Sequence, residues 1–310
     1  MMQAGELITM KILAQMMMAG LLACMPATVV AQEPAAAGQE FPVDIMQMSR
    51  DSRTGQIMVT ALVNGVPMRM MLDTGATHTV LHEESAARLP HAEWIDTSKM
   101  QFRGNSSQHP LLLKATLVAG PGVSTGHPLM VMNLSAVRSM LAGPLDGIIG
   151  MDFLASLPFT FDFRKGEWYW GMPDNLNLLP VPGEMEPSGR IHWVVTCQGK
   201  ELKLLLDTGS MVTRVCQEDW LPGAAGEIQA QIGNVDTATH QKMVEGKPGD
   251  LVLAPGAVLK GVTPLLCPRG EFTLLGLDAL RDAVLVHIPS EQLPGGLFLV
   301  VPTEPEPQGS

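Results

Sequence analysis

The chain repeats itself. Residues 57–76 and 191–210 align without a gap: each opens on Ile, passes a Gly at the same place and closes on Leu-Asp-Thr-Gly. The distance from Ile to Asp is 16 in both (73 − 57 and 207 − 191), and that from Gly65 or Gly199 to Asp is 8 in both (73 − 65 and 207 − 199). Asn64-Gly65 and Gln198-Gly199 interrupt apolar runs in the manner of hairpin turns that need positive φ. Each block therefore predicts a strand, a tight turn and a second strand whose apolar end carries an aspartate, Asp73 or Asp207, out of a buried support. A second pair of blocks closes each half. Asp146-Gly-Ile-Ile-Gly-Met-Asp152 corresponds to Thr273-Leu-Leu-Gly-Leu-Asp278, and final strands are expected at 159–163 and 284–288.

Such a repeat predicts two all-β halves, because its period is too long for a solenoid. With 310 residues, 46% apolar and 16% charged, each half can bury a core of its own. The 24 prolines and 31 glycines suit many turns between short strands. The expected organisation is a signal peptide at 1–31, a flexible leader at 32–40, a first lobe at 41–172, a linker at 173–189, a second lobe at 190–301 and a disordered tail at 302–310. A net charge of −11 with no basic stripe argues against a nucleic-acid partner.

Lys11, the apolar run after it and the small residues before Gln32 read as an export signal, too short for a membrane span. The product is expected in the periplasm or outside the cell. Leu21-Leu22-Ala23-Cys24 also fits a lipobox, with a lipid anchor at Cys24 as the alternative. Cys197, Cys216 and Cys267 would remain after cleavage, an odd number that allows one disulfide and one free thiol without naming the pair. No cysteine or histidine cluster has metal-ligand spacing, and neither a metal nor another cofactor is expected.

Two carboxylates brought close together can share one proton, since the first charge opposes the second. The ionised member can then act as general base on a water while the protonated one polarises a carbonyl. Asp73 and Asp207 are the candidates. Thr74 and Thr208 offer hydroxyls to the opposite loop, Gly75 and Gly209 permit a sharp turn, and Ser210 can donate to its aspartate where Ala76 cannot. The bland reading of each loop alone is an Asp-led turn, but the flanking match makes a coincidence of both improbable. His78 reads as a surface histidine, and Asp152 and Asp278 as helix caps. Trp168-Tyr169-Trp170 reads as packing at the lobe junction, Cys216 as buried, and the methionines as core filler.

Leu72-Asp-Thr-Gly-Ala76 with Ile148-Ile-Gly-Met-Asp152, and Leu206-Asp-Thr-Gly-Ser210 with Leu274-Leu-Gly-Leu-Asp278, resemble two retropepsin-type aspartic protease units in tandem. The resemblance spans roughly residues 41 to 300. It implies two retropepsin-like lobes related by pseudo-two-fold symmetry, held in one chain as in pepsin-like enzymes, with the cleft between them. It implies Asp73 and Asp207 as the dyad of an aspartic endopeptidase, with Thr74, Gly75, Ala76, Thr208, Gly209 and Ser210 as loop support. By the same analogy Gly104 and Asn105, and Gly233 and Asn234, are tips of flaps closing over an extended polypeptide. The alternatives are a peptide-binding scaffold that keeps the fold without turnover, and pairing of lobes between two chains instead of within a monomer.

Overall fold

A computed structural model describes residues 45–90, 92–95, 111–120, 122–171, 179–181, 183–186, 189–233, 238–288 and 297–300. The export signal, leader and tail, and the flap residues Gly104, Asn105 and Asn234, lie outside them. The described chain is almost entirely β, with four helices of four to six residues: Glu83–Ala86, Ser135–Met140, Met151–Leu154 and Leu277–Leu280. None of its helices is long and apolar enough to cross a membrane.

Each half builds its own curled sheet from the repeated blocks. In the first, Ile57–Val63 and Val66–Leu72 form the expected hairpin, with Val63 opposite Val66. In the second, Ile191–Cys197 and Lys200–Leu206 do the same, with Cys197 opposite Lys200. The turn residues Asn64 and Gln198 take φ of 48° and 49°, followed by Gly65 at 79° and Gly199 at 83°. Two successive positive φ values make a turn whose twist suits the strands on either side.

The equivalence of the halves extends well beyond the motifs. Asp73 and Asp207 are 134 positions apart (207 − 73), and Leu62 pairs with Val118 just as Thr196 pairs with Val252, at that same offset. The strand carrying each aspartate runs parallel to a short apolar strand, Gly147–Ile149 or Leu274–Leu275. The strand after each loop, Val80–His82 or Arg214–Cys216, crosses that same apolar strand antiparallel. Threading the chain on both sides of one short strand fixes each loop from two directions.

A third, six-stranded sheet joins the halves. Its central pair is Phe159–Asp162 against Val284–His287, antiparallel, with Phe159 opposite His287 and Asp162 opposite Val284. Glu167–Trp170 and Ile45–Gln47 extend it on the first-half side, Leu297–Val300 and Leu179–Pro180 on the other. The outer strands again begin 134 apart (179 − 45). The core is continuous across both halves: Phe161, Trp168, Trp193 and Leu285 are fully buried in a single apolar cluster. Methionines do fill core positions, Met58, Met68 and Met70 among them. Trp168 and Trp170 pack where expected, and the Trp170 indole Nε1 donates to the Ala119 carbonyl at 2.7 Å.

Candidate active site

Both aspartates stand at the ends of strands held on either flank. The Asp73 amide donates to the Ile149 carbonyl and the Asp207 amide to that of Leu275, each at 3.0 Å. The next residue in each loop reaches across to the other half. Thr74 and Thr208 are fully buried. The Thr74 amide donates to Thr208 Oγ1 at 3.0 Å and the Thr208 amide to Thr74 Oγ1 at 3.1 Å. Each hydroxyl in turn donates to the carbonyl preceding the opposite aspartate, Thr74 to Leu206 and Thr208 to Leu72, both at 3.0 Å. Four bonds between buried groups clamp the loops together, and each would be costly to leave unmade.

The glycines then admit the carboxyl groups. A Cβ built on Gly75 would lie 2.6 Å from Asp207 Cγ, and one built on Gly209 would collide likewise with the carboxyl of Asp73. Each acid therefore rests against the other half's glycine, and the two carboxyls are hydrogen-bonded to one another. Asp73 Oδ1 also accepts from the Gly75 and Ala76 amides at 2.8 and 3.0 Å. Asp207 accepts from the amides of Ser210 and Gly209.

Both aspartates are largely enclosed by protein. Burial raises Asp73 above its ordinary value, opposed by the Gly75 and Ala76 amides, by Asp207 and by the charge of Arg190. Burial together with the Asp73 charge pushes Asp207 well above the ordinary range. The pair titrates as a unit, and burial raises both members.

Several side chains depart from the sequence reading. The Ser210 hydroxyl does not reach Asp207; it donates to the Val212 carbonyl at 2.9 Å, the nearer acceptor in its own loop. Asp152 and Asp278 do not cap their helices, because Gly150 and Gly276 occupy the cap positions. They turn back to the strands following the two loops. Asp152 accepts from the Thr79 amide and hydroxyl at 2.9 and 2.7 Å, and Asp278 from those of Thr213 at the same distances. Only the first half adds a histidine. His127 Nε2 lies 3.2 Å from Asp152 Oδ2, and its Nδ1 lies 3.1 Å from Ser124 Oγ. Burial pushes Asp152 up, but His127 and the Thr79 donors outweigh it and hold the acid low. Without such a partner, Asp278 is raised by its burial.

His78 is not a surface residue. It is half-buried, and burial lowers its imidazole against the pull of Asp152. Cys197, Cys216 and Cys267 are buried free thiols, so the expected disulfide is not formed among them, although Cys216 and Cys267 face each other on parallel strands. Gly233 ends the strand Ala224–Gly233, which forms a long hairpin with Ala238–Gly246. In the first half, Glu93–Ile95 pairs with Leu111–Ala119 on either side of the segment that holds Gly104 and Asn105.

Two residues at the site escape a reading of the sequence. Gln56 and Arg190 each stand immediately before the Ile that opens a repeat, and each sends its side chain across the boundary. Gln56 Nε2 donates to the Gly209 carbonyl at 2.5 Å, and Arg190 Nε to the Gly75 carbonyl at 3.1 Å. Their position in the repeat was the only signal, and the dissimilar side chains hide it.

Residues 59–156 match the family model described as "gag-polyprotein putative aspartyl protease". No curated protein sequence matches the chain. Among solved structures, basic 7S globulin from soybean superposes with a TM-score of 0.50 at 13% identity, covering 84% of this chain and 94% of that one. Conglutin gamma, a basic 7S globulin from lupine seeds, gives 0.52 at 11% identity, covering 84% and 95%. Over its first half the chain is thus similar to an aspartyl protease family, and over most of its length it shares the fold of these two globulins.

Proposed function

We propose that the chain is an aspartic endopeptidase that hydrolyses extended polypeptides in the cleft between its lobes. The observation that carries this reading is the meeting of Asp73 and Asp207, one from each half, each carboxyl lying against the glycine of the opposite loop. Asp73, ionised, takes a proton from the attacking water. Asp207, protonated, donates to the oxygen of the scissile carbonyl. The tetrahedral diol collapses as Asp73 passes its proton to the leaving amine and Asp207 takes one back from a diol hydroxyl, which breaks the C–N bond, re-forms a carbonyl and restores the starting pair. Rigid, partly desolvated carboxyls favour this chemistry because their geometry need not reorganise during the reaction.

The clamp between Thr74 and Thr208 supports internal pairing of the halves, and hence a monomer. The hairpin ending at Gly233 and Asn234, and the segment holding Gly104 and Asn105, are assigned as flaps over the substrate. The chain is assigned to the periplasm or the extracellular space. A scaffold that only binds peptides is the competing reading. The two plant proteins are described as globulins, and at 13% and 11% identity their likeness bears on the fold alone.

Cleavage of a mixed peptide library, from acidic to neutral pH, tests the proposal. The wild type is expected to cleave, to resist chelators and serine- or cysteine-directed reagents, and to yield to a statine-type mimic. Asp73→Asn and Asp207→Asn are expected to abolish cleavage while keeping the native circular dichroism spectrum. Peptide binding with no cleavage by the wild type would select the scaffold instead.

A further inference from the structure

The two residues that stitch the dyad loops from outside are equivalent by position and unequal in charge. Gln56 and Arg190 are separated by the same 134 positions as the aspartates (190 − 56), and each donates to the carbonyl of the opposite loop's glycine. A symmetric pair would leave the shared proton without a preferred side. One neutral amide and one guanidinium break that symmetry. The loops also differ at Ala76 against Ser210, where the Ser210 hydroxyl is turned away to Val212, and at His78 against Val212. We propose that Arg190 is a positioning residue that sets the polarity of the dyad, holding the negative charge on Asp73 and leaving the proton on Asp207, with Gln56 as its neutral counterpart. This rests on the peptidase reading for its kinetic consequence, but not for the polarity itself.

The surroundings favour this assignment. The Gly75–Ala76 peptide takes the Arg190 hydrogen bond at its carbonyl and gives its Ala76 amide to Asp73 Oδ1 at 3.0 Å, so the guanidinium polarises a donor to Asp73. The charged and titratable groups that bear on Asp73 are Asp207 and Arg190. His78, on the same loop, faces Asp152, His127 and Arg190, and burial lowers its imidazole. Two residues beyond Arg190, His192 Nδ1 lies 3.3 Å from Glu186 Oε1. Arg190 is therefore the permanent positive charge on the Gly75–Ala76 peptide whose amide donates to Asp73, where the neutral Gln56 holds the Gly209–Ser210 peptide whose amide donates to Asp207.

The test reads pH. In Arg190→Gln both stitches are amides, and the acid limb of the kcat/KM profile is expected to move up by about one pH unit, the shift expected on losing an opposite charge nearby. Arg190→Lys keeps the charge, and its limb is expected to stay within a few tenths of the wild type. The exchange Gln56→Arg with Arg190→Gln carries one of each and is expected to move the negative charge to Asp207. Carbon-13 NMR of the aspartate carboxyls reads the same polarity without turnover, with Asp73 giving the lower step in the wild type and Asp207 in the exchange. If the wild type cleaves nothing yet the NMR steps follow Arg190, the peptidase reading fails and the polarity stands. An acid limb and an Asp73 titration both unmoved in Arg190→Gln would overturn the polarity whether or not peptides are cleaved. Should Arg190→Gln not fold, the exchange variant carries the same decision.

Discussion

Phe159 and His287 lie opposite one another on the two strands that join the halves, their rings stacked 4.9 Å apart at an angle of 20°. His287 is wholly buried, and burial pushes its imidazole down to about 4, against the weaker pull of the Leu157 carbonyl. The sign follows from comparison with the unfolded chain, whose histidine takes up its proton near pH 6.5. Above that value neither state binds the proton and the packing is fully effective. As the pH falls from about 6.5 towards 4, the unfolded state gains a proton that the native state refuses, and roughly 3 kcal/mol of stability is lost. His287→Phe should remove this loss. Denaturant midpoints across that range would decline steeply in the wild type and more gently in the variant; equal slopes would refute the assignment.

The dyad pulls the other way. Asp207 is raised well above its ordinary value, so the native state holds a proton that the unfolded chain releases. That favours folding in acid and opposes it as the pH rises through the native titration. Asp207→Asn removes the penalty as well as the chemistry. At neutral pH this variant is expected to melt no lower than the wild type while cleaving nothing. A marked fall in melting temperature would mean that the carboxyl is held by bonds that the amide cannot make.

Thr208 carries one side of the clamp. Without its hydroxyl, the Thr74 amide and the Leu72 carbonyl lose their partners inside protein. Thr208→Val, which keeps the shape, should cost about 2–4 kcal/mol, at one to two kcal/mol for each stranded group. Thr208→Ser should recover most of that loss. A urea titration of the three proteins distinguishes the lost hydrogen bonds from lost volume, since valine and threonine fill the same space.

What the sequence makes legible is local and periodic. The hairpin turns at Asn64 and Gln198 and the loops at Asp73 and Asp207 follow from residue type and spacing, and the structure places them as the repeat implies. The pairing of 159–162 with 284–287 is not legible, because alternation marks a buried strand without naming its neighbour. Ser210 misleads because a hydroxyl's choice of acceptor depends on the turn of a loop, and here it takes the Val212 carbonyl. Asp152 misleads because the glycine before the helix, and not the acid, takes the cap, which frees the carboxylate to bind Thr79. Gln56 and Arg190 stay hidden until the lobes are assembled, since their partners lie 153 and 115 positions away.

The face-to-face contact of acid and glycine gives the sharpest steric test. A methyl group on Gly75 would sit 2.6 Å from Asp207 Cγ and 2.7 Å from its Oδ1, well inside ordinary contact. The carboxyl cannot retreat without breaking its bonds to Asp73 and to the amides of Ser210 and Gly209. Gly75→Ala should therefore displace Asp207 and lower kcat/KM about a hundredfold or more, the scale of a misplacement near 1 Å. Overpacking should cost about 1–3 kcal/mol of stability besides. Gly226→Ala is the control, since an added Cβ there meets nothing within 4 Å. It should leave both quantities unchanged. Full turnover in Gly75→Ala would mean that Asp207 does not rest against that loop, and the shared carboxyl pair could not stand.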